Sequence, residues 1–135
     1  MAKVTIVNLR MQAESMHIPI IERKLSADYM GMYIKMHKTI VIDPTLSQAQ
    51  YLCTLYHELV HAKYDDQSCG ISTNSGTKNE VRARKLTAIG LINDLEYKTV
   101  ECLYDGNIFS MAAEIGVTPA VLLDYQHVKR GERIV

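Results

Sequence analysis

The segment "LYHELVHA", residues 55–62, sets His57 and His61 four positions apart, with Glu58 directly after the first histidine. On a helix, residues four apart are neighbours on one face, their Cβ atoms roughly 5–6 Å from one another. Both imidazoles can therefore aim a ring nitrogen at one ion, at about 2.0–2.1 Å if that ion is zinc. Glu58 is turned about 100° from His57. That is the wrong direction for a ligand, but within reach of a metal-bound water. Two ligands and a general base on one rigid helix are the physical content of H-E-x-x-H, and the chemistry they point to is metal-assisted hydrolysis.

The bland alternative is three polar residues on an exposed helix face. The helical wheel argues against it. Gln50, Thr54, His57, Glu58 and His61 share one arc, Leu52, Leu55, Leu59 and Ala62 lie largely opposite, and Tyr56 and Val60 flank them. A helix this apolar is mostly buried, and burying its polar arc without partners is costly. A metal and a water-filled cleft satisfy that arc.

A catalytic zinc takes three protein ligands and keeps one position for water. The extended pattern H-E-x-x-H-x-x-G-x-x-H fails here, because its glycine and histidine positions hold Tyr64 and Gln67. Glu80 is the preferred third ligand. It follows His61 after eighteen intervening residues, enough to turn the chain back, and it sits in the first turn of the next helix. Ala83 and Thr87, on the same side as Glu80, are small enough to let the two helices approach closely. A carboxylate there also complements a helix dipole, and Asp65 is the reserve ligand.

These residues need elements to hold them. Residues 3–16 read as a helix, although "VTIV" at its start suits an extended chain equally well. Residues 17–24 read as a short strand. Residues 31–43, "GMYIKMHKTIVID", hold two β-prone runs about residues 36–38, a hairpin pattern. Thr45 or Ser47 is the candidate N-cap of the motif helix, which runs to about Tyr64. Residues 65–76 are a loop by composition. Thr77 and Glu80 have capping-box spacing and open a helix to about Ile92. A further helix starts at Asp94 and is broken at residues 105–107, and two short helices around residues 116–118 finish the chain. The fold class expected is α+β: a small antiparallel sheet packed on a helical core, with C-terminal helices.

The 135 residues suit one domain, 1–135. The composition, 47% hydrophobic and 22% charged, is that of a globular chain. Fifteen basic residues balance fifteen acidic ones, which gives no field for general binding to nucleic acid or a membrane surface. The start of the chain lacks the pattern of a secretory signal, and no run approaches the roughly 20 apolar residues of a membrane span. Cys53, Cys69 and Cys102 form no CxxC pair and fit reduced thiols, Cys53 being expected in the core. A soluble cytoplasmic protein is the expectation.

The stretches "GMYIKMHKTIVID", "LYHELVHA", "NEVRARKLTAIGLI" and "AAEIGVTPAVLL" together resemble the ImmA/IrrE family of small metallopeptidases, over roughly residues 18–128. The resemblance implies a zincin-like fold and zinc held by His57, His61 and Glu80, with Glu58 as catalytic base. It also implies a cytosolic peptidase whose partner and substrate is a helix-turn-helix repressor of a phage or mobile element. The chain departs from the family at Val60, where glycine is frequent, and at Leu86–Thr87, where an aromatic residue and alanine are frequent. Neither position supplies chemistry.

Tyr64, His37 and His127 are candidate donors to the oxyanion that peptide hydrolysis generates. Residues Thr39, Ile40, Val41 and Ile42 are expected to offer a sheet edge on which a substrate adds as a strand. The alternative class is an adaptor that binds a regulatory protein without cutting it. Residues 112–130 also suggest helix–turn–helix, yet Val121, Leu122, Leu123 and Tyr125 are poor groove readers, so no direct nucleic-acid binding is expected. Arg82, Arg84 and Lys85 read as a solvated face that could steer an acidic partner.

Overall fold

The computed structural model describes residues 3–66 and 77–134. Helix α1 (Ile6–Ser15) opens with a reciprocal cap: the Thr5 hydroxyl accepts from the Asn8 backbone, and the Asn8 side chain accepts from that of Thr5. The "VTIV" ambiguity thus resolves into an extended Thr5 followed by a helical Ile6. Leu9 and Ala13, one turn apart, bury its inner face.

Strands β1 (Ile20–Glu22), β2 (Gly31–Ile34) and β3 (Thr39–Ile42) form one sheet in the order β1-β3-β2. The hairpin is as expected, with Ile34 opposite Thr39 across a turn of residues 35–38. The antiparallel expectation fails for β1, which pairs parallel with β3 in the register Ile20 to Ile40 and Glu22 to Ile42. The hairpin fixes β2 antiparallel to β3, and residues 23–30 are long enough to carry the chain across the end of the sheet. That leaves the most continuously apolar strand, "TIVI", at the centre, where it is covered best. Ile40 and Ile42 have no exposed surface.

Helix α2 (Gln48–Tyr64) begins at Ser47, whose hydroxyl accepts from the Gln50 backbone at 3.2 Å. Thr45 is not the cap because its backbone N–H and its hydroxyl both donate to Asp43, at 2.8 and 2.7 Å. Ten of the helix's residues are buried, including Leu55 and Leu59 from the apolar arc and Cys53 beside them. Helix α3 (Lys78–Leu91) follows, then α4 (Asp94–Leu103), α5 (Ile108–Ile115) and α6 (Pro119–Lys129). Gly116 ends α5 at φ 90°, a left-handed conformation that favours glycine, and Thr118 caps α6 with Pro119 first in the helix. Arg84 on α3 grips the buried Asp124 on α6 through two hydrogen bonds of 3.1 and 2.7 Å. This pair ties the C-terminal helices to the element that carries Glu80.

The architecture is α+β. No single helix among the described residues is long and apolar enough to cross a membrane. Of the expected loop at residues 65–76, residues 67–76 lie outside the described residues, Cys69 among them.

Candidate metal centre

Helices α2 and α3 lie close because the facing side of α3 is built from small residues. Ala83 has no exposed surface, and the Thr87 hydroxyl turns back to the Ala83 carbonyl at 2.7 Å. At Gly90 an added Cβ would stand 1.9 Å from the Tyr56 hydroxyl, so a side chain there would have to displace the end of the Tyr56 ring. This approach brings Glu80 onto the polar arc of α2.

The His57 and His61 Nε2 atoms are 3.3 Å apart. Glu80 spans the pair, with Oε1 2.8 Å from His57 Nε2 and Oε2 3.1 Å from His61 Nε2. Two ligands at zinc distance and tetrahedral angle stand ~3.3 Å apart. The two imidazoles therefore already hold the spacing of a metal's first shell, and the carboxylate sits at ordinary hydrogen-bond range. Among the described residues these three form a group that could hold a metal ion, all donor atoms within 4.8 Å of one another.

The electrostatics ask for a cation at this point. His61 is 1% exposed and is surrounded by three carboxylates: Glu80 and Asp66 hydrogen-bonded to it, and Glu58. Burial would lower its pKa, but the bonds to Glu80 and Asp66 and the charge of Glu58 overcome that and raise it to about 9. Burial would raise the pKa of Glu80, yet its bonds to His57 and His61 hold it well below the usual carboxylate range. A proton or a divalent cation can supply the positive charge, and the nitrogen and oxygen donors suit zinc.

Glu58 is buried at 5% exposure, one residue on from His57 and off the ligand set. Gly31 at the start of β2 sits against it. A Cβ built there would be 2.8 Å from Thr54 Cγ2, 3.0 Å from the Val41 carbonyl and 3.7 Å from Glu58 Cγ. Only glycine lets the strand run this close to the polar arc.

A sequence model of the IrrE N-terminal-like domain family of peptidases matches residues 13–124. The chain belongs to this family. Membership supports a metallopeptidase-type function, and the His57, His61, Glu80 group is the kind of site that such a function requires. Searches of curated proteins and of solved structures find no match.

In this IrrE-like domain the end of α2 supplies a residue that the spacing argument missed. Asp65 takes φ 51° as a left-handed cap, its N–H donating to Ala62, while the Asp66 N–H donates to the His61 carbonyl at 3.0 Å. This Schellman closure folds Asp66 back beneath His61. The Asp66 carboxylate then bonds His61 Nδ1 through one oxygen and Arg82 Nη2, at 2.7 Å, through the other. It fixes the ring so that Nε2 faces the cluster, the usual outer partner of a ligating histidine. The visible signal was two aspartates where the helix ends. Asp65, the reserve ligand, turns to the sheet instead and accepts from the Tyr33 hydroxyl at 2.8 Å and the Lys38 ammonium at 3.1 Å.

Thr77 caps α3 by accepting from the Glu80 backbone, but the other half of the expected box is missing because the Glu80 carboxylate is engaged by the histidines. None of the three oxyanion candidates joins the metal group: Tyr64 lies under the Arg82 guanidinium at 3.7 Å, His37 is exposed in the hairpin turn, and His127 pairs with Glu132 at 3.2 Å. The expectation that Thr39, Ile40, Val41 and Ile42 form a sheet edge is overturned. They are the central strand, paired on both sides, and cannot accept a further strand. Arg82 and Arg84 are engaged with Asp66 and Asp124 rather than merely solvated. Cys53 is buried, as its helix position implied.

Proposed function

We propose that the chain is a cytosolic zinc-dependent endopeptidase that cleaves a helix-turn-helix repressor and so releases transcription of a phage or mobile element. The observation that carries the hydrolytic reading is the convergence of His57, His61 and Glu80 next to a buried Glu58 that is outside the ligand set. A site with a purely structural metal has no use for that carboxylate.

Zinc held by the three residues would lower the pKa of its water and polarise the scissile carbonyl. Glu58, buried beside the ligand set, would accept the proton of the hydrolytic water and hand it to the departing amine. Asp66 keeps the His61 ring oriented throughout. The substrate runs along the outer side of β2 rather than along β3, because Gly31 brings β2 to Glu58 and β2 has a strand partner on one side only among the described residues.

The test is to mix the protein with the repressor encoded beside it, with and without chelator, and to repeat the reaction with Glu58→Gln. Metal-dependent fragments that vanish in Glu58→Gln, while its metal content stays that of the native protein, support the peptidase. An intact complex with no fragments selects the adaptor reading.

A further inference from the structure

On the side of α3 opposite Glu80, Lys78, Arg82 and Lys85 follow at i, i+4 and i+7 and so share one face of the helix. With Arg133, from the segment after α6, they surround a groove of about 840 Å³ to which Val81, Leu86 and Ile134 contribute the apolar lining. Two elements distant in sequence thus build the same cleft, and Ile134 is buried in it at 6% exposure.

Three of the four cations in this groove are unmatched among the described residues. Arg82 is paired with Asp66. Lys78, Lys85 and Arg133 are exposed and have no ion-pair partner among the described residues. In a chain whose formal net charge is zero, this is a local excess of cations. It is also adjacent to the metal centre, since Arg82 is bonded to Asp66 and Asp66 to His61.

We propose that this groove is an exosite for an acidic, partly apolar peptide segment of the protein that the metal centre cleaves, an inference that rests on the peptidase reading above. Carboxylates complement Lys78, Lys85 and Arg133, and aliphatic side chains between them cover the half-buried Val81 and Leu86. A nucleic-acid backbone would match the charges but would leave the apolar lining in contact with phosphate and sugar, which favours the peptide. Charge complementarity of this kind sets partner choice and association rate more than raw affinity.

The test is direct binding by the full chain after metal removal with a chelator, read by fluorescence anisotropy. The probes are a labelled peptide alternating glutamate and leucine, the same peptide with lysine for glutamate, and a labelled DNA duplex. The acidic peptide is expected to bind, more weakly at high salt, and the other two are not. Combined Lys78→Glu, Lys85→Glu and Arg133→Glu should weaken binding about tenfold or more. The corresponding alanine triple should fall between, which separates lost attraction from any damage caused by reversal. Equal binding by native and reversed proteins, or tighter binding of the duplex, overturns the proposal. Because the metal is absent throughout, a failure here leaves the peptidase reading standing, and loss of the peptidase reading leaves the measured binding intact.

Discussion

Metal uptake by this site should be a competition with a proton. In the metal-free chain His61 is held protonated by Glu80, Asp66 and Glu58, with its pKa raised from 6.5 to about 9. A metal needs the neutral imidazole, so at pH 7 it must displace that proton. With the raised pKa at about 9, the neutral fraction of His61 grows from about 1% at pH 7 to about half at pH 9, so apparent affinity should climb about 50-fold, on the order of 2 kcal/mol. The assay is competition with a chromophoric chelator across this range. Calorimetry in buffers of different ionisation enthalpy should count about one proton released per metal at pH 7, falling toward none above pH 9. The same shift fixes the stability of the metal-free chain. A raised histidine pKa contributes fully below 6.5 and is lost as pH rises through about 9. The lowered Glu80 contributes above its ordinary 4.5 and is lost only as pH falls to its depressed folded value. The metal-free melting temperature should therefore decline between neutral and alkaline pH. Affinity that is flat between pH 7 and 9, with no proton released, would refute the reasoning that three carboxylates hold His61 charged.

Three further outcomes are expected. Asp66→Asn keeps the shape of the His61 partner but removes its charge, and should weaken metal binding by roughly 10–100-fold in the same chelator competition. Arg84→Ala leaves Asp124 buried without its bidentate partner and should destabilise the chain by about 3–5 kcal/mol in denaturant unfolding. Gly31→Ala places a methyl group 2.8 Å from Thr54 Cγ2 and 3.0 Å from a backbone carbonyl, and should lower stability by about 1–3 kcal/mol, seen as a drop in melting temperature.

What the sequence revealed was what depends on local periodicity. The His57–His61 spacing, the polar arc around it and the burial of α2 follow from helix geometry alone. Glu80 was legible because a loop, a cap and the small residues Ala83 and Thr87 together imply a second helix packed closely on the first. Three features depend on choices that no local pattern records. Pairing of β1 with β3 is decided by how residues 23–30 cross the sheet, so an edge was expected where the centre lies. Asp66 reaches His61 only because Asp65 accepts a left-handed backbone, which converts a helix end into a returning turn. Arg82 and Arg84 find carboxylates through tertiary packing, sixteen and forty residues away in sequence, whereas composition alone suggests a solvated stripe.

The central claim is that one divalent ion is gripped by His57, His61 and Glu80. X-ray absorption at the zinc edge on the purified protein tests it most directly. One metal per chain is expected, with a shell of nitrogen and oxygen only at about 2.0–2.1 Å and the outer-shell signature of two imidazoles, reduced by one in His57→Ala. A sulfur ligand, or a spectrum unchanged in His57→Ala and in Glu80→Ala, would contradict it.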